Sequence, residues 1–213
     1  MLFEDFIKLI PDLRKVELLG KISHAKMLPP TRKAFIEKPV QNMPSAKRAG
    51  VLALFYPNAQ HETCFVLTLR KTYKGVHSAQ VSFPGGKKEP TDNHLEATAI
   101  RETFEEVGIP KENIQIIKAL SKVYIPPSNF YVSPFWGFLN SVPHFTKQED
   151  EVEEIIEVKL ADLLNDNNLL QKQIQTSYNV AVEVPTFQLN NFTVWGATAM
   201  MLSEIKDVLK QLL

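Results

Sequence analysis

The sequence predicts an α/β fold in which helices cover both faces of one mixed sheet, an α/β/α sandwich. Two apolar runs, residues 50–56 and 63–69, have the length and composition of central strands and predict a hairpin. Two amphipathic helices are predicted at residues 93–107 and 197–213. Because strands and helices are interspersed along the chain, both kinds of element should pack into the same domain.

Length and composition bound the class of protein. A chain of 213 residues is long enough for one domain with a full core. The formal net charge is zero and no large basic region is present, so nucleic acid is not an expected partner. No apolar run reaches membrane-spanning length, and the acidic N-terminus lacks a signal-peptide core, so a cytoplasmic protein is expected. The single cysteine, Cys64, lies in an apolar run and should be a buried thiol.

The first 48 residues are predicted to form a helix and an extended arm, packed on a domain of residues 49–213. The helix spans residues 3–15, is interrupted or bent at Pro11, and either packs on the domain or forms a homodimer contact. Residues 26–48 are rich in proline and basic side chains, which is typical of an arm with little regular structure. Those basic side chains either face solvent or meet the phosphates of a substrate. The apolar stripe of the helix consists of Phe3, Phe6, Ile7 and Ile10.

The elements outside the first hairpin are predicted from shorter patterns. Residues 131–139 form an aromatic strand in which Pro134 indicates an edge position or a bulge. The proline-rich loop 125–130 either forms one wall of a substrate cleft or is purely structural. Residues 165–176 are polar and predict a surface connection. The remaining predictions are strands at 114–122 and 155–160, a short helix at 161–165, and a hairpin of residues 178–187 and 192–195.

The most informative stretch is a glycine turn, Gly85-Gly86, that leads into the helix at residues 93–107. The residues that predict its two ends are Asn93 and Glu96 as a capping box, Asp92 as a second cap, and Gly108 as a stop. The apolar positions lie within an arc of roughly 80° and predict the core face: Ala97, Ile100, Phe104 and Val107.

Glu102, Glu105 and Glu106 lie on the opposite side of this helix, at i, i+3 and i+4. Carboxylates at these spacings repel one another by roughly 0.2–0.5 kcal/mol per pair, and a solvated acidic face is the ordinary explanation. Two details favour a metal site instead. Arg101 lies one turn before Glu105 and can orient it, and the glycine turn lets the backbone approach a ligand closely. Oxygen ligands of this kind suit Mg²⁺ or Mn²⁺ that holds a phosphate.

This stretch resembles the Nudix box, in which a glycine and an acid precede Arg-Glu-apolar-X-Glu-Glu-X-Gly-apolar. Two departures are visible: the spacer from Asp92 to Arg101 is one residue longer than usual, with Asp92 in place of glutamate, and Thr103 replaces an apolar residue. The resemblance implies a Nudix-type α/β/α sandwich, metal-dependent hydrolysis of a diphosphate, and an Arg101 that orients the helix carboxylates. The matching residues are Gly86, Asp92, Arg101, Glu102, Glu105, Glu106, Gly108 and Ile109, and the implied metal ligands are Glu102, Glu105, Glu106 and the Gly86 carbonyl.

A second resemblance precedes the glycine turn. On its residues alone, the stretch from Arg70 to Gly86 is a loop, in which Arg70 can bind phosphate, followed by a short strand. A lone histidine such as His77 is more often structural than catalytic. Residues 67–70 (Leu-Thr-Leu-Arg) and 77–86 (His-Ser-Ala-Gln-Val-Ser-Phe-Pro-Gly-Gly) are nonetheless similar to the signature of the coenzyme A pyrophosphatase branch of the Nudix family. That signature reads Leu-Leu-Thr-X-Arg and His-X-Gly-Gln-apolar-X-Phe-Pro-Gly-Gly. Ala79 replaces a usual glycine, and an arginine and a serine common in the loop are not evident. The resemblance implies substrate contacts from Arg70, His77 and Gln80.

Nudix enzymes often use a further acid from beyond the box. Glu151, Glu153 and Glu154 are the candidates here, and alternation along the chain does not choose among them. The other explanation of this acidic run is a solvated surface turn. The general base is therefore expected to be one of these acids or a helix glutamate, Glu105 or Glu106.

The resemblance thus predicts hydrolysis of the diphosphate bond of coenzyme A or its derivatives. The products would be adenosine 3',5'-bisphosphate and 4'-phosphopantetheine or its acyl form. The implied cofactor, Mg²⁺ or Mn²⁺, neutralises the diphosphate and lowers the pKa of a water. One alternative is the same chemistry on ADP-ribose or a (deoxy)nucleoside triphosphate. The other is a nucleotide-binding module without turnover, which the three intact and mutually repelling glutamates disfavour.

Overall fold

The order of elements is that of a mixed α/β domain, seen in a computed structural model that describes residues 1–29, 45–71, 80–175 and 181–213. The helices are α1 (Phe3–Lys15), α2 (Lys21–Ala25), α3 (Leu95–Val107), α4 (Leu160–Leu164) and α5 (Gly196–Lys210). The strands are β1 (Lys47–Pro57), β2 (Thr63–Arg70), β3 (Val81–Ser82), β4 (Gly85–Lys87), β5 (Gln115–Ala119), β6 (Val123–Ile125), β7 (Phe130–Phe138), β8 (Val152–Lys159), β9 (Leu169–Gln175), β10 (Ala181–Leu189) and β11 (Phe192–Val194). Short 3₁₀ turns lie at Lys111–Asn113, Pro126–Ser128 and Asp166–Asn168.

Strand β1 organises the main sheet, because it pairs with three others. It runs antiparallel to β2 and β4 and parallel to β7. The sheet order is β3-β2-β1-β7-β5, with β4 on β1, β6 on β7 and β8 on β2, and a smaller antiparallel sheet has the order β11-β10-β9. The predicted β1–β2 hairpin and the predicted mixed sheet are confirmed.

Alternate side chains of β1 enter two separate cores on the two faces of the sheet. Ala53 and Phe55 pack with α1 and α5, whereas Leu52 and Leu54 pack against α3. Helices therefore cover both faces, as the predicted α/β/α sandwich requires.

Helix α1 packs its apolar stripe into the first of these cores. The Phe6 ring is fully buried, stacks on Phe55 at 5.3 Å between ring centroids, and lies 6.3 Å from Trp136. The stripe thus has the packing role that was one of its two predicted roles. The helix runs unbroken through Pro11, so of the two predicted alternatives, an interruption or a bend, the interruption is wrong.

Removing the Phe6 ring should unfold the protein far more easily than removing an exposed ring. We expect Phe6→Ala to lower the free energy of unfolding by about 3–5 kcal/mol, because a fully buried aromatic side chain leaves a cavity. Denaturant unfolding checks this value. The matched control is Phe104→Ala, whose ring is 46% exposed. A cost for Phe6→Ala below about 1 kcal/mol, or equal costs for both variants, would contradict the assignment of α1 to the core.

Helix α3 buries a different face from the predicted one. Thr98, Ala99, Thr103 and Val107 are buried, whereas Phe104 is exposed beneath the Lys111 ammonium. The buried threonines lose little because their hydroxyls are bonded inside the protein, with that of Thr103 donating to the Ala99 carbonyl at 2.7 Å. A buried threonine of this kind is invisible to a pattern based on hydrophobicity.

The start of α3 also differs from the prediction. The N-cap is His94, whose Nδ1 accepts a hydrogen bond from Ala97 N at 3.1 Å, so the capping box of Asn93 and Glu96 is wrong. Asp92 is not a cap either, because its carboxylate accepts from the Thr98 hydroxyl and from Arg101. Gly108 ends the helix in the left-handed conformation, as predicted.

Two strand predictions need correction. β7, with Pro134, lies inside the sheet between β1 and the pair β5 and β6, not at an edge. On this side, β7 pairs with β6 as far as Val132 and with β5 from Phe135 onward. Pro134 lies at the change of partner, where the missing N–H of proline is tolerated. The polar stretch 165–176 is not a plain surface connection, because most of it forms β9, whose exposed side chains hide the strand pattern.

The remaining boundaries shift by small amounts or lie outside the described residues. Helix α4 begins and ends one residue before the prediction, and α5 begins at Gly196. Most of the proline-rich arm and part of the predicted 178–187 strand are outside the described residues. Cys64 is 3% exposed, as expected for a core thiol. Among the helices of the described ranges, none is both long and apolar enough to cross a membrane.

Candidate active site

The glycine turn and α3 meet where β4 passes under the helix. Gly85 N donates a hydrogen bond to Glu106 Oε2 at 3.3 Å. A Cβ on Gly86 would clash with the Glu102 carboxylate, whose Oε2 would be 2.6 Å away. The absence of a side chain at Gly86 is therefore what lets the Glu102 carboxylate lie against the strand backbone.

Arg101 connects the acids of this region. Its guanidinium donates to Glu105 Oε2 at 2.7 Å, to both oxygens of Asp92 at 3.0 Å, and to the Lys87 carbonyl at 3.2 Å. It also forms an ion pair with Glu102 at 3.0 Å. The planar fork of arginine suits this role, because its five donors point in fixed directions. Arg101 thus contacts Glu102 and Glu105, two of the carboxylates that it is predicted to orient.

Asp92 binds the Arg101 fork through both of its carboxylate oxygens. Hydrogen bonds from Arg101 hold the pKa of Asp92 well below its ordinary value, and burial opposes them. A carboxyl group with a lowered pKa stabilises the fold above its ordinary pKa of about 3.9, and this contribution is lost as the pH falls below that value.

Replacing Asp92 by asparagine should therefore destabilise the protein in a pH-dependent way. We expect Asp92→Asn to lower the free energy of unfolding by about 1–3 kcal/mol at neutral pH, because the neutral amide pairs weakly with Arg101. The difference from wild type should shrink as the pH falls below about 4. Thermal unfolding from neutral to acid pH checks this. A difference that stays constant with pH would indicate a packing effect instead.

Glu106 is the most buried acid of the group, with a side chain only 3% exposed. Burial raises its pKa to about 8, helped by the charges of Glu102 and Glu151 and opposed by Arg70 and Gly85 N. Burial likewise raises the pKa of Glu102. Desolvated carboxylates that repel one another are stabilised by a cation, so the electrostatics of the site favour a positive ligand.

Glu151 is the acid beyond the helix that comes close to this group. Its charge contributes to the raised pKa values of both Glu102 and Glu106. It immediately precedes β8, and its carbonyl accepts a hydrogen bond from Lys71 N at 3.0 Å. Glu151 and the other two predicted alternatives, Glu153 and Glu154, are all exposed, and the latter two lie within β8.

The loop that carries Glu151 is bonded to the last turn of α3. Gln148 N donates to the Glu106 carbonyl at 3.1 Å, and Thr146 N donates to the Val107 carbonyl at 3.0 Å. The Gln148 side chain then accepts from Glu151 N at 2.6 Å. The loop therefore connects Glu151 to the last turn of α3, which carries Glu106.

Of the predicted substrate residues, Arg70 lies in this centre. Its Nη1 contacts Glu106 Oε1 at 3.3 Å. Arg70 N donates to the Gln80 carbonyl at 3.1 Å, which brings those two residues together at the backbone. His77 lies outside the described residues.

Comparison with known proteins decides the family. The NUDIX domain model matches residues 46–178, which include the glycine turn, α3 and Glu151. This chain belongs to the Nudix family. It is 32% identical over 158 residues to the uncharacterized Nudix hydrolase NudL of Pectobacterium atrosepticum, covering 72% of this chain and 79% of that protein. It is 34% identical over 141 residues to the NudL protein of an Enterobacter species, covering 66% and 72%.

Solved structures of Nudix proteins share the fold at lower sequence identity. The Nudix hydrolase RenU of M. smegmatis superposes with a TM-score of 0.52 at 14% identity, covering 79% of this chain and 88% of that one. The MutT protein of Methanosarcina mazei superposes with a TM-score of 0.50 at 17% identity, covering 78% and 97%. The predicted Nudix fold and hydrolase class are thereby confirmed.

Nudix hydrolases use divalent metal ions, and the residues of this site fit such an ion. The donors are hard carboxylate oxygens, Glu106 is a buried carboxylate with long hydrogen bonds, and Gly86 leaves room for the Glu102 carboxylate. In the arrangement described, the acids point toward Arg101 and Arg70, and no three acidic, histidine or cysteine side chains of the described ranges converge closely enough to hold an ion. Binding would require these side chains to rotate.

Two residues of this Nudix site were not predicted. Gly85 supplies the N–H that bonds Glu106, and its position beside Gly86 in the glycine turn was the available signal. Gln148 supports Glu151 through contacts between segments far apart in sequence, for which the sequence carries no local signal.

Proposed function

We propose that this Nudix hydrolase cleaves the diphosphate bond of coenzyme A or its derivatives. The observation that carries the proposal is the position of Arg70, which ends the first half of the branch signature and contacts Glu106 of the Nudix box. The hydrogen bond from Arg70 N to the Gln80 carbonyl joins it to the second half. Arg70 of the coenzyme A pyrophosphatase signature is therefore in contact with Glu106, one of the glutamates of the Nudix box.

The carboxylates of Glu102, Glu105 and Glu106 and the Gly86 carbonyl would hold Mg²⁺ or Mn²⁺. When bound, such an ion neutralises the diphosphate and lowers the pKa of water that attacks phosphorus. The helix and the glycine turn would supply these ligands from two elements that already pack together.

The side chains around the ligands would have separate tasks. Arg101 would orient Glu102 and Glu105 through the contacts described above. Glu151 would accept the proton of the attacking water on a carboxylate oxygen, with Glu105 and Glu106 as the alternative bases. Arg70, with His77 and Gln80, would bind the substrate, because a guanidinium binds phosphate oxygens in a bidentate manner.

Product analysis by mass spectrometry tests the substrate. The purified protein would be incubated with Mg²⁺ or Mn²⁺ and with coenzyme A, ADP-ribose or a deoxynucleoside triphosphate in separate reactions. We expect adenosine 3',5'-bisphosphate and 4'-phosphopantetheine from coenzyme A, with little product from the other two. The Glu106→Gln variant is the control for a contaminating hydrolase.

The other outcomes are equally informative. Cleavage of ADP-ribose or of the triphosphate in preference to coenzyme A would keep the chemistry and overturn the substrate. An absence of cleavage of all three compounds with either metal would favour a nucleotide-binding module without turnover.

A further inference from the structure

Glu106 accepts two long hydrogen bonds although its side chain is only 3% exposed. Gly85 N and Arg70 Nη1 each donate to it at 3.3 Å, longer than the usual range for N–H···O bonds. A buried carboxylate needs close and well-aligned partners to offset its desolvation. A cation of higher charge that binds Glu106 directly would therefore offset this desolvation better than Gly85 N and Arg70 do.

An irregularity in the sheet lies beside Arg70, whose side chain reaches Glu106. The register between β2 and β8 shifts between Leu69 and Arg70, so that Arg70 lies opposite Val152. Such a bulge re-aims a side chain and is frequent beside active sites. The backbone here is fixed, because Arg70 N bonds to Gln80 and Lys71 N bonds to Glu151. The side chain of Arg70 is 26% exposed and borders solvent, so it can rotate while its backbone stays in place.

The guanidinium and a divalent ion compete for the same carboxylate. A charge of +1 next to a charge of +2 is repulsive, and burial of the site reduces the screening of that repulsion. A metal ion that takes Glu106 must therefore displace Arg70. The displaced guanidinium would lie beside the diphosphate of a bound substrate, whose oxygens it can bind in a bidentate manner.

We propose that Arg70 is a switching residue: it contacts Glu106 in the metal-free enzyme and turns to the substrate's diphosphate when a metal ion takes its place. The inference rests on the proposed function, because it takes Glu106 as a metal ligand. The metal ion and the substrate should then each strengthen the binding of the other. The metal ion frees Arg70 to bind the diphosphate, and the diphosphate holds Arg70 away from Glu106.

Binding of Mn²⁺ to the substrate-free protein tests the switch by isothermal titration calorimetry. We expect Arg70→Ala to bind Mn²⁺ about tenfold more tightly than wild type, because the competing cation is gone. Its KM for the cleaved diphosphate substrate should rise about tenfold or more, because the same guanidinium is missing there. Arg70→Lys should keep the Mn²⁺ affinity near wild type, since the charge remains, and should still raise KM, since the planar fork is lost.

Arg14→Ala is the matched control. Arg14 lies exposed in the last turn of α1 and should leave both quantities unchanged when removed. Mn²⁺ binding by Arg70→Ala that is weaker than or equal to wild type would overturn the switch. If that variant fails to fold, a loss of Mn²⁺ affinity in Arg70→Lys would overturn it instead. Unaltered Mn²⁺ binding in Glu106→Gln, or no binding in wild type, would overturn the proposed metal site itself.

Discussion

Glu106→Gln should lower kcat by about 10²–10⁴-fold while the protein stays folded, because glutamine keeps the volume and removes the ligand charge. The same change at Glu105 should also cost orders of magnitude in kcat. Glu105 is half exposed, with 49% of its side chain accessible, so its replacement should have little effect on stability. Steady-state kinetics with circular dichroism checks both variants. Near-normal rates in both would refute the metal-site assignment.

The stability of Glu106→Gln gives an independent readout. The pKa of Glu106 is raised to about 8 in the folded protein, so the folded state binds more protons than the unfolded state between about pH 4 and 8. The free energy of unfolding of the metal-free wild type should therefore fall as the pH rises through this window. The variant lacks this titration, so it should gain stability relative to wild type, by about 1.4 kcal/mol for each unit of pKa difference.

Gly86→Ala should reduce kcat/KM by about 100-fold without unfolding the protein. The added methyl group would clash with the Glu102 carboxylate, which is the flexible end of a side chain and can move away. The φ angle of Gly86 does not lie in the left-handed region, so alanine fits the backbone conformation. Kinetics and Mn²⁺ titration check the expectation that Glu102 is displaced from the metal site.

The matched control for Gly86→Ala is a glycine on the neighbouring strand. Gly50 pairs with Gly86, and a Cβ on Gly50 would clash with the Leu95 carbonyl of the α3 backbone. Gly50→Ala should therefore lower the melting temperature, because the helix must shift. Equal loss of stability in the two variants, or normal turnover by Gly86→Ala, would contradict the role given to Gly86.

The sequence predicted the carboxylate cluster and the glycine turn because both depend on local spacing. Glu102, Glu105 and Glu106 share one side of a helix whatever the fold around them. The buried face of α3 was mispredicted because hydrophobicity favours Phe104 over Thr103, whereas the Thr103 hydroxyl is bonded within its own helix and Phe104 lies under Lys111.

Contacts between segments far apart in sequence were beyond prediction. The bond between Arg70 and Glu106 depends on the pairing of β2 with β8 and on a register shift that no local pattern encodes. The proximity of Glu151 to the helix glutamates likewise depends on how the preceding loop bonds to α3. The interior position of Pro134 depends on a change of partner strand, and a single strand's sequence does not reveal its neighbours.

The bonds from Thr146 and Gln148 to the end of α3 limit how this enzyme can be altered. They fix Glu151 relative to the helix glutamates, so an insertion or deletion between Thr146 and Glu151 would move the acids apart. Attempts to change substrate preference should leave this short stretch at its present length. Library diversity is better directed to 125–130, where changes of length leave the bonds between this loop and the helix intact.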